Sequence, residues 1–214
     1  MPQGYIEHAP NRVIWAKPLE TSLLDPSENV DRLMDCVFYL TDTLLRKSSG
    51  DERDVPVGPG VDTEIEHLWV AFQQQAAQAG ECLQRPMHQQ VQYKDPFIAM
   101  VVAYFAASRV ILGILKHQTF SSQSTCRDLY DTILGCSYFL EDKNVGCAYL
   151  RMFFPLILIM IHSPFRQQRE SAYALLGQRM HNTAFKGMGS IAIKRVQSEQ
   201  ELNLRNSHAP VMTV

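Results

Sequence analysis

Apolar residues return at intervals of three and four along most of this chain, without the strict apolar–polar alternation of a strand. Seven helices follow from that rhythm. The first opens at Asp25-Pro26-Ser27-Glu28. Asp25 can cap it, Pro26 suits the first helical position, and Glu28 stands three residues after the cap. Val30, Leu33, Met34, Val37, Leu40, Leu44 and Leu45 carry it to about residue 47. A second helix, capped by Asp62 or Thr63, carries Ile65, Leu68, Trp69, Phe72 and Ala76 and runs to about residue 83. A third opens at Asp95-Pro96 and ends near Lys116. Ile98, Val102, Ala106, Arg109, Gly113 and Lys116 share its least apolar side, so Arg109 is expected to lean toward solvent. A fourth, capped by Ser124 or Thr125, turns Leu129, Ile133, Cys136 and Phe139 inward and ends near residue 140. Helices over 145–162, 164–180 and 190–204 complete the set.

The fifth helix is apolar on every side, apart from Arg151 and His162. Such a helix must be surrounded by other helices or by a hydrophobic ligand. The expected fold is therefore all-α, a single domain of about seven helices around a central apolar helix at 146–162. Pro155 has no amide hydrogen, so the carbonyl of Arg151 loses its helical partner. The resulting kink either lets the helix pack or opens a cavity between Arg151 and His162, which stand about 16 Å apart along the axis. Residues 1–24 hold three prolines and read as an extended arm, with Ile14, Trp15 and Leu19 as anchors. The domain spans 25–205, with a Gly-, Pro- and charge-rich connection at 48–62, another polar connection at 84–95, and a flexible tail at 206–214.

Composition narrows the classes. Hydrophobic residues make up 46% of the chain, enough for a sizeable core, and the net charge of −2 argues against direct nucleic-acid binding. Cys36, Cys82, Cys126, Cys136 and Cys147 form no CxxC or Cys/His cluster. They read as reduced core thiols of an intracellular protein, cytoplasmic or nuclear. The first twenty residues lack the basic and apolar regions of a signal peptide. Pro96–Leu115 is long enough to cross a bilayer, but Ser108, Arg109, Gly113 and several alanines mark it as a buried helix, so no membrane is expected.

No segment spells out a reaction. Glu64 and His67 form one E-x-x-H pair, half of what a di-iron bundle uses, and Asp31, Asp35 and Asp42 read as a solvated face. Ser190, in Gly187-Met188-Gly189-Ser190-Ile191, reads as a helix cap, and Arg166, Arg169 and Arg179 as a solvated face diluted by Glu170. No metal site and no cofactor are expected. The residues best placed to line a cavity are Arg151, His162, Arg109, Tyr104, His67 and Trp69.

The stretch from Cys147 to Gln197 resembles the C-terminal part of the fungal-specific transcription factor regulatory domain. The matching pieces are Leu150-Arg151-Met152-Phe153-Phe154-Pro155-Leu156, His162-Ser163-Pro164, Gln168-Arg169-Glu170 with Ala172 and Leu175-Leu176, and Gly187-Met188-Gly189-Ser190-Ile191 with Arg195-Val196. The likeness covers about a quarter of the chain. It implies an all-α domain that senses effectors or contacts partners downstream of a binuclear zinc cluster. That six-cysteine cluster is absent here, and 214 residues are few for a full regulator, so a stand-alone domain is expected. Its expected role is transcription regulation through a small hydrophobic molecule or a protein partner. The alternative is an enzyme of fungal secondary metabolism, a cyclase or isomerase preorganising a hydrophobic substrate in a helical cavity. A third reading is a homodimerisation module.

Overall fold

A computed structural model of the chain describes residues 26–49, 57–80, 93–116, 123–143 and 151–181, with Lys194 and Ser198. The described residues form six helices: α1 (Pro26–Ser49), α2 (Val61–Gln78), α3 (Pro96–Leu115), α4 (Gln123–Asp142), α5 (Phe153–His162) and α6 (Arg166–His181). The fold is all-α, with no strand among the described residues. The arm at 1–24, the tail at 206–214, Cys82, Cys147 and the Gly187–Ser190 turn lie outside them. So does most of the seventh helix, of which Lys194 and Ser198 are described and helical.

The helix that gathers the others is α3. Asp95 caps it, its Oδ1 accepting from the amide of Phe97 at 2.8 Å, and Pro96 occupies the first turn as the sequence predicts. Fifteen of its twenty residues are buried. It packs most extensively on α4 and also touches α1, α2 and α5, whereas α5 lies chiefly against α6 and more lightly on α3 and α4. Leu33 and Leu40 of α1, Ile65 of α2, Ile111 of α3, Ile133 of α4 and Ile159 of α5 have essentially no exposed surface. Each such side chain contributes about 1.5–3 kcal/mol by leaving water. The apolar character of α3, which meets the length and hydropathy of a bilayer span, is accounted for by this packing: 83% of its most apolar stretch is buried among the other helices.

Expectations about α3, α2 and α4 change. The least apolar side of α3 does not simply face water, because α2 lies along it. Arg109 pairs with Glu66 and is half-buried, and Lys116 donates to Asp62 at 2.6 Å. Arg32 of α1 pairs with Glu64 of α2, so three cross-helix ion pairs flank α2. The start of α2 is set by Gly60 at φ 93°, with no side-chain cap. Asp62 sits inside the first turn, its carboxyl held below the usual range chiefly by the hydrogen bond from Lys116. Its end comes at Gln78, before residue 83, because Gly80 at φ 75° turns the chain and donates its amide to the carbonyl of Ala77 at 3.0 Å. Helix α4 begins at Gln123, which leaves Ser124 and Thr125 in its first turn instead of at its cap.

Cys36, Cys126 and Cys136 are buried free thiols. Burial, reinforced by the nearby Glu64 carboxylate, pushes the Cys36 thiol up to about 12.

Candidate functional site

The six residues singled out in the sequence fall at three separate places. His67 is exposed on α2. Two residues on, Trp69 packs edge-on against Phe105 of α3, ring centres 4.9 Å apart, and Arg109 lies over the Trp69 ring at 6.0 Å. With Glu66 on its guanidinium, Arg109 is occupied in holding α2 to α3. Tyr104 and Arg151 meet at the crossing of α3 and α5. His162 ends α5, half-buried, at the far end of that helix.

The crossing of α3 and α5 resolves the question raised by Pro155. The regular helix is interrupted just before it, at Met152. Met152 has left the regular helix, and α5 starts at Phe153, so Pro155 lies in a first turn where a missing amide costs nothing. The carbonyl of Arg151, deprived of its helical partner, accepts from the Tyr104 hydroxyl at 2.7 Å. Burial raises the Tyr104 pKa, so the phenol keeps the proton it donates. The Tyr104 ring stacks on Phe154 at 6.3 Å, and Arg151 itself is exposed, donating to Met100 Sδ at 3.6 Å. Around this point Met152, Leu156 and Ile159 have no accessible surface. A side chain with none touches no water-sized void, so these positions are packed solid.

Open space lies elsewhere, between α4 and the N-terminal turn of α6. The groove is about 610 Å³, with Leu134, Gly135 and Tyr138 on one wall and Phe165, Arg166 and Ser171 on the other. Beneath it, buried Gln168 joins the two helices. Its amide nitrogen donates to the carbonyl of Arg127 at 3.1 Å and to Asp131 Oδ1 at 2.8 Å, and its oxygen accepts from Ser163 Oγ at 2.7 Å. Ser163 Oγ accepts in turn from the amide of Phe165 at 3.2 Å, and its carbonyl accepts from Arg169 at 2.6 Å. Ser163-Pro164 thus ends α5 and sets the first turn of α6, while every polar side-chain atom of Gln168 finds a partner. Arg127 stands over the Phe165 ring at 5.4 Å, with Asp131 at 3.8 Å, and Arg166 pairs with Glu170 at 2.7 Å on the rim.

The groove's titratable lining is Arg127, Asp131, Tyr138 and Arg166. Arginine keeps its proton at any ordinary pH. The set places two guanidiniums, each paired with a carboxylate, beside the aromatic surface of Tyr138 and Phe165. Among the described residues, no three His, Cys, Asp or Glu side chains converge as metal ligands, and Glu64 is taken by Arg32 while His67 faces solvent. Reading the sequence missed this groove. Its one available signal was buried-type spacing of a polar residue, Gln168 four places before Ala172 on the inward face of α6.

The chain matches no protein-family model, no curated protein and no solved structure.

Proposed function

We propose that the chain is a binding module that holds a small hydrophobic molecule with an acidic end in the groove between α4 and α6. One observation carries this reading. Gly135 stands in the middle of α4 on the groove wall, and a methyl group added there would meet no atom within 4 Å. Glycine inside a helix costs roughly 1 kcal/mol against alanine, and no close neighbour demands it here. Its missing side chain leaves room beside Tyr138 and Phe165. An aromatic or aliphatic body fits against those two rings, and its carboxylate is within the field of Arg127 and Arg166.

Two further points support binding over turnover. The packed surroundings of Leu156 and Ile159 favour a surface groove over a buried reaction chamber. The lining arginines suit charge recognition more than proton transfer. The likeness of residues 147–197 to fungal regulatory domains supports an effector-sensing role in transcription regulation, the groove being the sensing element.

Thermal unfolding with cinnamate, benzoate and decanoate tests the proposal. A ligand present at about 100 times its Kd adds about 2.7 kcal/mol of stability. For a chain of this size that raises Tm by roughly 5–10 °C. At least one of the three acids is expected to do so, and Gly135→Leu, which fills the groove, is expected to abolish the shift. Failure of all three, or an equal shift in Gly135→Leu, overturns the proposal.

A further inference from the structure

Helix α1 is fixed on its inner side and unusually apolar on its outer one. Leu33, Cys36, Val37 and Leu40 are buried against the body. On the other side Phe38 is 66% exposed and Leu45 62%, the two most exposed large apolar side chains among the described residues. Met34, half-buried, lies one turn before Phe38. At about 100° per residue, Met34, Phe38 and Leu45 fall within about 40° of one another, and Asp31, Asp42 and Asp35 fill about the next 60°. An apolar row therefore runs beside an acidic one along a helix of 24 residues. All three aspartates are exposed. Asp42 pairs with Arg46 at 2.9 Å, whereas no ion pair among the described residues engages Asp31 or Asp35.

We infer that the outer face of α1 docks a basic amphipathic helix of a partner protein. Met34, Phe38 and Leu45 recur at spacings of four and seven, an apolar seam for an incoming helix, and Asp31, Asp35 and Asp42 flank it along one side. Phe38 and Leu45 stand two turns apart, about 10 Å, and act as knobs for apolar residues on an incoming helix. The acidic row sets the partner's charge: lysines or arginines flanking its apolar stripe meet Asp31 and Asp35. The same row disfavours the other occupants. Nucleic acid would bring phosphates against carboxylates, and a second copy of α1 would bring a second acidic row into the contact. The surface is independent of the α4–α6 groove.

The test uses the whole chain and a fluorescein-labelled peptide of roughly 20 residues built from Leu-Lys-Ala-Leu-Lys-Ala-Lys repeats, read by fluorescence anisotropy. Binding is expected with a Kd of about 10–100 μM at low salt, weakening at least about tenfold when salt is raised to about 0.5 M. The Phe38→Ala/Leu45→Ala variant, altered only at exposed positions, is expected to retain the wild-type Tm and to bind at least about tenfold more weakly. A control peptide with glutamate in place of lysine is expected not to bind, and Gly135→Leu is expected to bind like wild type. Unchanged affinity in the double variant overturns the inference, as does equal binding of the acidic peptide. Dimerisation in sedimentation that is lost in the double variant also overturns it, in favour of a second copy.

Discussion

Two junctions in this fold treat polar groups in opposite ways. Where α3 crosses the start of α5, a single phenol closes a single orphan carbonyl, and the apolar neighbours Met152, Leu156 and Ile159 leave no space. Where α4 meets α6, a buried glutamine ties the two helices through two hydrogen bonds and accepts a third from Ser163, and an open groove stands above it. The first junction is the more hydrophobic and the second the more accommodating. The difference teaches that all-round apolarity marks tight burial, whereas open space arises where a polar bolt fixes the distance between two helices.

The contrast is broken most forcefully in the solid junction. Leu156→Ala is expected to cost about 2–5 kcal/mol in urea unfolding, since a void left beside Ile159 has little freedom to collapse. A loss well under 1 kcal/mol would show that this region is looser than described. Next come the two polar closures. Gln168→Met strips partners from Ser163 and Asp131 and is expected to cost about 1–3 kcal/mol, against about 1 kcal/mol for Tyr104→Phe, which removes one bond. Parallel chemical denaturation ranks them. A larger loss in Tyr104→Phe would reverse the comparison.

Gly135→Leu sharpens the contrast in the other direction. It is expected to stabilise α4 by about 1 kcal/mol, raising Tm by about 2–4 °C, because the added side chain fills a groove instead of straining a core. The smallest effect belongs to the rim of α2. Asp62 has its pKa lowered in the folded state, so its pairing with Lys116 contributes fully above the ordinary carboxylate pKa and fades as pH falls through the lowered one. Both groups are partly exposed, which limits the gain to under about 1 kcal/mol. Denaturation of Lys116→Met from pH 6 down to about pH 2 should show a smaller acid-induced loss than wild type.

Much of the helical skeleton was legible from local chemistry. Pro26 and Asp95-Pro96 marked helix starts because their effects act within one turn, and Pro155 correctly exposed the Arg151 carbonyl. The identity of its partner was not legible, because Tyr104 lies 47 residues away in sequence and only packing brings it there. The break at Met152 escaped for a related reason. An apolar run carries no mark of where one helix yields to the next when the interruption is satisfied by tertiary contacts. Glycine conformation decided both ends of α2, and sequence periodicity does not report the sign of φ at Gly60 or Gly80. The groove was hidden most deeply: Gly135 and Tyr138 sit on α4, Phe165 lies just before α6, and the feature that unites them is what is missing between them.

The three ion pairs around α2 have one more consequence, for how the molecule breathes. Arg32, Arg109 and Lys116 reach α2 from two different helices, and each pair is partly open to solvent. Attractions of that kind weaken as dissolved ions crowd in, while the burial of Ile65, Leu68 and Phe72 does not. Ionic strength therefore acts as a selective dial on one segment. As salt rises, amide exchange should quicken in α2 first, with α3 still protected, so that α2 opens as a local unit well below the energy of global unfolding.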